Sequence, residues 1–348
     1  MRVPWFAVLV LTAVLVACSG GSSGNGGTTG GSSGSSGGGS SGGSSGGGSS
    51  GGGSSSGGSS TGSSGSGSGT DSGADPDAGV SADSITFTMG PFTVPAGTEV
   101  FKCQTFANPF GGVTTDIKEY DEHMTTGSHH MFLFFSPGAT DGPVEDCPNG
   151  GLEFHPYPFG AQSPDATLTY PPTVGSQIPG TMGFMLNAHF INIETTDYQA
   201  TMTVTLHVAS PGAVTQYAGV MFMNQAGITV PATDMPSTSS ATCTTPYAMN
   251  VMGSSSHMHN RATDFVATTG SQTLYTTETW ADPVPGKYDP PIALPSGAPI
   301  TWSCTYVNDT TETLTFGESA ETNVMCIYSM QFYPVQDPSN PTIDCEKL

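Results

Sequence analysis

The chain carries eight histidines against only six Lys and Arg, and they fall in clusters whose spacing suits metal chemistry. His257-Met258-His259 sets two imidazoles two residues apart. In a strand both then lie on one face, close enough to chelate one ion. Two exposed surface histidines are the plainer alternative. His129 and His130 are adjacent, and neighbours in a regular strand point to opposite faces, so one metal can use both only at a strand end or a bulge. His189, in the apolar run Leu186-Asn187-Ala188-His189-Phe190, reads by itself as a satisfied core residue. His207, within the alternating run from Thr201, reads as structural. His123 follows Asp121 and Glu122 and reads as a surface residue or a support for the first His pair, while His155 has no ligand-like partner in sequence.

A folded body must position these groups, and composition locates it. The 348 residues hold 48 Gly, and 28 Asp and Glu oppose the six basic residues for a net charge of −22. That balance excludes a protein that binds nucleic acid by neutralising phosphates. Glycine, serine and threonine make up nearly all of the stretch from Ser19 to about Gly69. It cannot bury enough apolar surface to offset ordering entropy and reads as a disordered tether, with a span of roughly 40 Å over about 55 residues. From Ser84 onward about 265 residues of ordinary globular sequence remain, enough for one large or two ordinary domains.

The N-terminus reads as an export signal: Arg2 precedes an apolar run from Val3 to Ala17 that is short for a membrane span and suits a signal peptide. The run ends in Leu15-Val16-Ala17-Cys18, which resembles the lipobox of bacterial lipoproteins. The expectation is cleavage before Cys18, lipid on that cysteine, and a membrane-anchored protein facing the periplasm or cell exterior. Six cysteines are left, Cys103, Cys147, Cys243, Cys304, Cys326 and Cys345, with no CxxC. An even number in an exported chain argues for disulfides over thiolate metal sites, with 15 possible pairings. Nearness suggests Cys103 with Cys147 and leaves four cysteines for the second half, where a Cys243 to Cys345 link would close a loop of about 100 residues, worth roughly 4.7 kcal/mol in the chain-entropy picture.

No run of a dozen residues shows helical periodicity without Gly or Pro, whereas short runs rich in Val, Thr, Phe and Tyr recur between Pro/Gly turns. The fold is expected to be all-β. Expected strands include Glu99–Phe106, Met131–Phe135, Gly183–Ile191, Ala200–Val208, Asp264–Thr268, Ile300–Val307 and Val324–Tyr333. A break at Ser210-Pro211-Gly212 divides them into two packed antiparallel β-sandwiches. The expected organisation is a signal peptide (1–17), anchor and linker (18–83), an N-terminal sandwich (84–209) and a C-terminal sandwich (210–348).

Four motifs in order, Ser128-His129-His130-Met131, Asn187-Ala188-His189-Phe190, Ser256-His257-Met258-His259 and Asn323-Val324-Met325-Cys326, resemble the copper type II, ascorbate-dependent monooxygenases, relatives of peptidylglycine alpha-hydroxylating and dopamine beta-monooxygenases. The resemblance runs from about Ser84 to Tyr333 and includes Cys304 and Cys326 near its end. It implies two jelly-roll-like sandwiches with a metal cleft between them and two mononuclear coppers. His129, His130 and His189 would hold an electron-transfer copper; His257, His259 and Met325 would hold the oxygen-activating one. Imidazole suits both copper oxidation states, and the thioether of Met325 favours Cu(I) and speaks against zinc. Dioxygen and ascorbate or another reductant would hydroxylate a C–H bond of a small-molecule or peptide-like substrate.

Peptide-amidating members hold a carboxylate with Arg, Asn and Tyr where this chain has Ser255, Ile327 and Ser329, so amidation of glycine-extended peptides is not expected. Tyr328, Met330 and the stretch Phe154 to Phe159 are either an apolar pocket lining or ordinary core aromatics. Met124, Met131, Met221, Met223, Met249, Met252 and Met258 are either a copper-collecting surface or core filler. Two other functions fit the same residues: a copper-binding or copper-delivery lipoprotein without an organic substrate, and a β-sandwich adhesion or ligand-binding module with decayed metal sites.

Overall fold

Alternating apolar and polar residues dominate the described part of the chain, residues 83–148 and 156–347 of a computed structural model, and these residues form strands with no α-helix among them. The expected signal peptide, Cys18, the Gly/Ser tether, Phe154 and His155 lie outside the described residues.

In the first sandwich, Ser84–Val94, Tyr198–Val208, Thr115–Met124 and Val174–Ile178 lie side by side in one sheet, and Glu99–Phe106, Met182–Ile191 and Ser128–Pro137 form the centre of the other. Phe87, Met89, Ile117, Tyr120, Phe184 and Leu186 are among the residues buried between them. Each such side chain contributes about 1.5–3 kcal/mol through its removal from water. The second sandwich has Gly286–Leu294, Met249–Met258, Cys326–Tyr333 and Gly219–Gln225 in one sheet and Pro236–Thr244, Pro299–Val307, Ala262–Thr269 and Gln272–Thr277 in the other. Its core is built on Trp302, Phe265, Tyr306 and Phe332.

Gln216–Tyr217 still pairs, in parallel, with Val174 and Gly175 of the first sandwich. The change of sandwich therefore falls at Ala218, a few residues beyond Ser210-Pro211-Gly212. A third apolar cluster joins the halves, with Phe134 and Tyr157 from the first meeting Val220, Phe222, Met325 and Ile327 from the second. The six cysteines form three disulfides, Cys103–Cys147, Cys243–Cys345 and Cys304–Cys326.

All seven expected strands are present, most with longer ends. The last differs: its ladder begins at Cys326, while Val324 makes an isolated bridge to Phe316. Met325 thus sits between ladder and bridge.

Candidate metal centre

The adjacent histidines owe their placement to a bulge. Ser128 pairs with Phe190 but His130 pairs with His189, so the register slips at His129. A bulge re-aims side chains that a regular pleat would send to opposite faces. Gly127, at a φ of 97°, turns the chain into this strand, and its carbonyl accepts the Ile191 N–H at 2.8 Å. His189 stands across from His130 and stacks on Phe101, with ring centroids 3.9 Å apart. From the second sandwich, Met249–Met258 carries His257 near its end, and His259 follows just past it.

These five imidazoles form one group. Ring centroids are 5.3 Å apart for His129 and His130, 5.1 Å for His130 and His189, and 5.2 Å for His257 and His259. Across the two sandwiches, His257 lies 4.8 Å from His129 and 5.0 Å from His130. Two triads have ligand nitrogens within 4.8 Å of one another: His129, His130, His189 and His129, His257, His259. His129 belongs to both. The two expected ligand sets, one from each sandwich, therefore stand side by side, with His129 within reach of both. The cause is the closeness of the two sandwiches, which the apolar cluster around Phe134, Phe222 and Met325 holds together.

Hydrogen bonds set which nitrogens are available. His257 Nδ1 lies 2.9 Å from Gln162 Oε1, an acceptor only, so the ring donates there and its Nε2 carries the lone pair. Gln162 is fixed in turn by its amide N–H to the Trp280 carbonyl at 3.0 Å. His259 Nδ1 donates to the Asn323 carbonyl at 3.3 Å, which leaves its Nε2 bare as well. Metal-bound histidines are oriented in this way by the partner of their other nitrogen. Nε2 of His129, His257 and His259, Nδ1 of His130 and both ring nitrogens of His189 are buried without a hydrogen-bond partner. Unpaired buried nitrogens cost free energy, and a metal ion would satisfy them.

Burial, then the neighbouring imidazoles, holds His129, His130 and His257 well below the ordinary histidine range. Burial likewise lowers His189, against the opposing pull of Glu99, and brings His259 to about 3. Burial thus favours the neutral form in all five, the protonation state a metal requires. Glu99 Oε2 is 3.5 Å from His189 Nε2, too long for a well-formed hydrogen bond. The other Glu99 oxygen accepts from Ser319 Oγ and the Glu321 N–H, each at 3.2 Å, and so links the sandwiches beside the centre. All six described cysteines are in disulfides, so imidazoles are the donors here. With unpartnered ring nitrogens and burial that favours the neutral form, they fit copper in either oxidation state.

Met325 is buried in the joining apolar cluster, which also takes in Phe132, a ring 5.4 Å from His130. Its backbone is tied to the centre: Tyr306 accepts the His259 N–H at 3.0 Å and donates to the Met325 carbonyl at 2.5 Å. Gln162, Asn323, Trp280 and Glu99 support the site and were not read from sequence, because lone polar residues in loops and strands carry no spacing signal.

The other residues fall elsewhere. His207 pairs with Asp121 at 2.6 Å and His123 with Asp165 at 2.7 Å on the outer face of the first sandwich. Glu119, Asp121 and His207 form a further, partly exposed group with metal-ligand spacing. The seven methionines named above are all buried, so they are core residues and not a collecting surface. A cavity of about 640 Å³ opens beside the centre, lined by His130, His257, Phe132, Tyr157, Phe159 and Phe222 among others. Tyr328 and Met330 do not line it. They point into the second core, and the alternate residues Ile327, Ser329 and Gln331 face the cavity.

Fold and site together define an all-β protein of two sandwiches with a five-imidazole centre where they meet, in which His129, His189 and His259 are buried and His130 and His257 partly so. No family model and no curated protein matches the sequence. Among solved structures the chain is similar to the major capsid protein P2 of bacteriophage PM2, at 6% identity and a TM-score of 0.30 over 73% of this chain and 98% of that one. It is also similar to the infectious bursal disease virus Gx strain structure, at 9% identity and a TM-score of 0.16 over 74% of each chain. Likenesses this slight carry no functional argument.

Proposed function

We propose that this chain is an exported, lipid-anchored copper monooxygenase that hydroxylates a C–H bond of an organic substrate, using dioxygen and two electrons from ascorbate or a similar reductant. One observation carries the reading: five imidazoles from two sandwiches lie together, each with a buried ring nitrogen that has no hydrogen-bond partner, and two of them, His130 and His257, line a cavity of about 640 Å³. His129, His130 and His189 would hold one copper, and His257 and His259, with Met325 beside them, the other. Bound copper would supply one-electron transfer and activation of dioxygen, with one oxygen atom entering the substrate and the other leaving as water. The chain's own residues hold the donors and the substrate. Gln162 and Asn323 aim the two Nε2 lone pairs, and Phe132, Tyr157 and Phe222 border the space beside them with apolar surface.

A copper-delivery lipoprotein would share the imidazoles but has no use for the cavity. The test is copper stoichiometry on the full chain, with ascorbate-dependent oxygen uptake followed against a panel of organic molecules. Bound copper with substrate-stimulated uptake supports the monooxygenase. Bound copper with no stimulation by any candidate favours copper handling, and absence of tight copper overturns both.

A further inference from the structure

The cavity floor is a ladder of paired strands with a readable chemistry. His257 pairs with Ile327, Ser255 with Ser329, and Gly253 with Gln331. On the neighbouring strand, Phe222 pairs with Ser329 and Val220 with Gln331. Side chains two residues apart share a face, about 7 Å per step, so the floor runs outward from His257 in two steps. The first step presents the hydroxyls of Ser255 and Ser329 beside Phe222, and the second the amide of Gln331 beside Val220. Each group is neutral.

The hydroxyls are loosely held. Ser329 Oγ reaches the Ser255 carbonyl at 3.4 Å, and Ser255 Oγ the Ser256 carbonyl at 3.4 Å, long enough that a better-placed partner would displace them. Gly253 keeps the outer step open: a Cβ there would come within 3.0 Å of both Gln331 Oε1 and the Gly286 carbonyl. The opposite wall is apolar, formed by Phe132, Tyr157 and Phe159. Among the described residues, charge reaches the cavity only through Asp165, Lys287 and Asp289, all exposed. Lys287 stands across from Gly253, two steps out from His257.

We propose that this cavity selects an uncharged, largely apolar molecule whose carboxamide or hydroxyl group lies one strand step, about 7 Å, from the atom held beside His257. Its apolar body packs against Phe132, Tyr157 and Phe222, and its neutral head exchanges hydrogen bonds with Ser255, Ser329 and Gln331. A carboxylate or ammonium head at that step would lose its hydration among neutral floor groups, the exposed Lys287 standing a step further out, which is costly. Calling this ligand a substrate rests on the monooxygenase reading. The selectivity itself does not.

The test is therefore made on the full chain without metal or reductant, by calorimetric titration with three matched probes: 4-(biphenyl-4-yl)butanamide, the corresponding butanoate and the corresponding butylamine. The amide is expected to bind at least tenfold more tightly than either charged probe. Ser329→Lys, verified as folded by its melting curve, should reverse the order of amide and butanoate, and Ser329→Ala should weaken the amide several-fold if the lysine variant does not fold. Equal binding of the three probes, binding of none, or an unchanged order in the folded Ser329→Lys variant overturns the inference. Copper-dependent oxygen uptake is scored separately, so amide selectivity without uptake removes the monooxygenase and leaves a neutral-ligand pocket.

Discussion

His129 and His257 belong to different sandwiches, yet their rings lie 4.8 Å apart, and His129 is the residue common to both metal-ligand triads. Loss of a shared donor disturbs two ligand sets at once. His129→Ala is expected to lower tightly bound copper by about one ion per chain and to change the electron paramagnetic resonance of what remains, whereas His130→Ala should leave the His257 and His259 signal intact. Metal analysis and spectroscopy on the same samples check this.

Met325 supplies a thioether within an apolar cluster. Met325→Leu nearly conserves volume and should cost under about 1.5 kcal/mol of stability. Copper should stay bound through the histidines while ascorbate-dependent oxygen uptake falls at least tenfold. Unchanged uptake would remove Met325 from the site.

Gly127 precedes the bulge at a φ of 97°, and an added Cβ would run into the Tyr198 hydroxyl and approach the Ile191 carbonyl at 3.3 Å. Gly97 also has a positive φ but has open space around it. Gly97→Ala should incur only the backbone cost, of order 1 kcal/mol. Gly127→Ala should cost more and also weaken copper binding, because it shifts the segment that aims His129 and His130. Paired melting and copper titrations separate the two effects.

Glu122 is buried with neither carboxylate oxygen partnered. Burial, reinforced by Asp165, pushes it up to about 9. The folded state therefore holds this proton more tightly than the unfolded chain, so the stabilisation is complete below about pH 4.5 and is lost as pH rises toward 9. The slope is at most about 1.4 kcal/mol per pH unit. Glu122→Gln should flatten the fall in denaturation midpoint between pH 5 and pH 9, and an unchanged slope would show that Glu122 does not titrate in that window.

Strands were legible where apolar residues cluster, as in Met182–Ile191 and Pro299–Val307. They were not where one face is charged or hydroxyl-rich: Thr115–Met124 carries Glu119, Asp121 and His123 outward, and Pro236–Thr244 is largely Ser and Thr. Such stretches were not named among the expected strands, because their β character depends on pairing with neighbours distant in sequence. Which face of Cys326–Tyr333 meets the cavity was hidden as well. In Cys326–Tyr333 both alternating faces are usable, and only the second core decides that Tyr328 and Met330 go inward and Ser329 and Gln331 toward the cavity.

The sequence by itself determined the local chemistry: which residues are imidazoles, their spacing within one strand, the all-β class, and an even set of cysteines suited to disulfides. These follow from side-chain identity and short-range geometry. Only the tertiary structure decided that five histidines from two sandwiches converge, that a bulge at His129 turns adjacent residues to one site, and that Gln162 reaches His257. Each of these depends on register and on the packing of distant segments, where a slip of one residue reverses the face a side chain occupies.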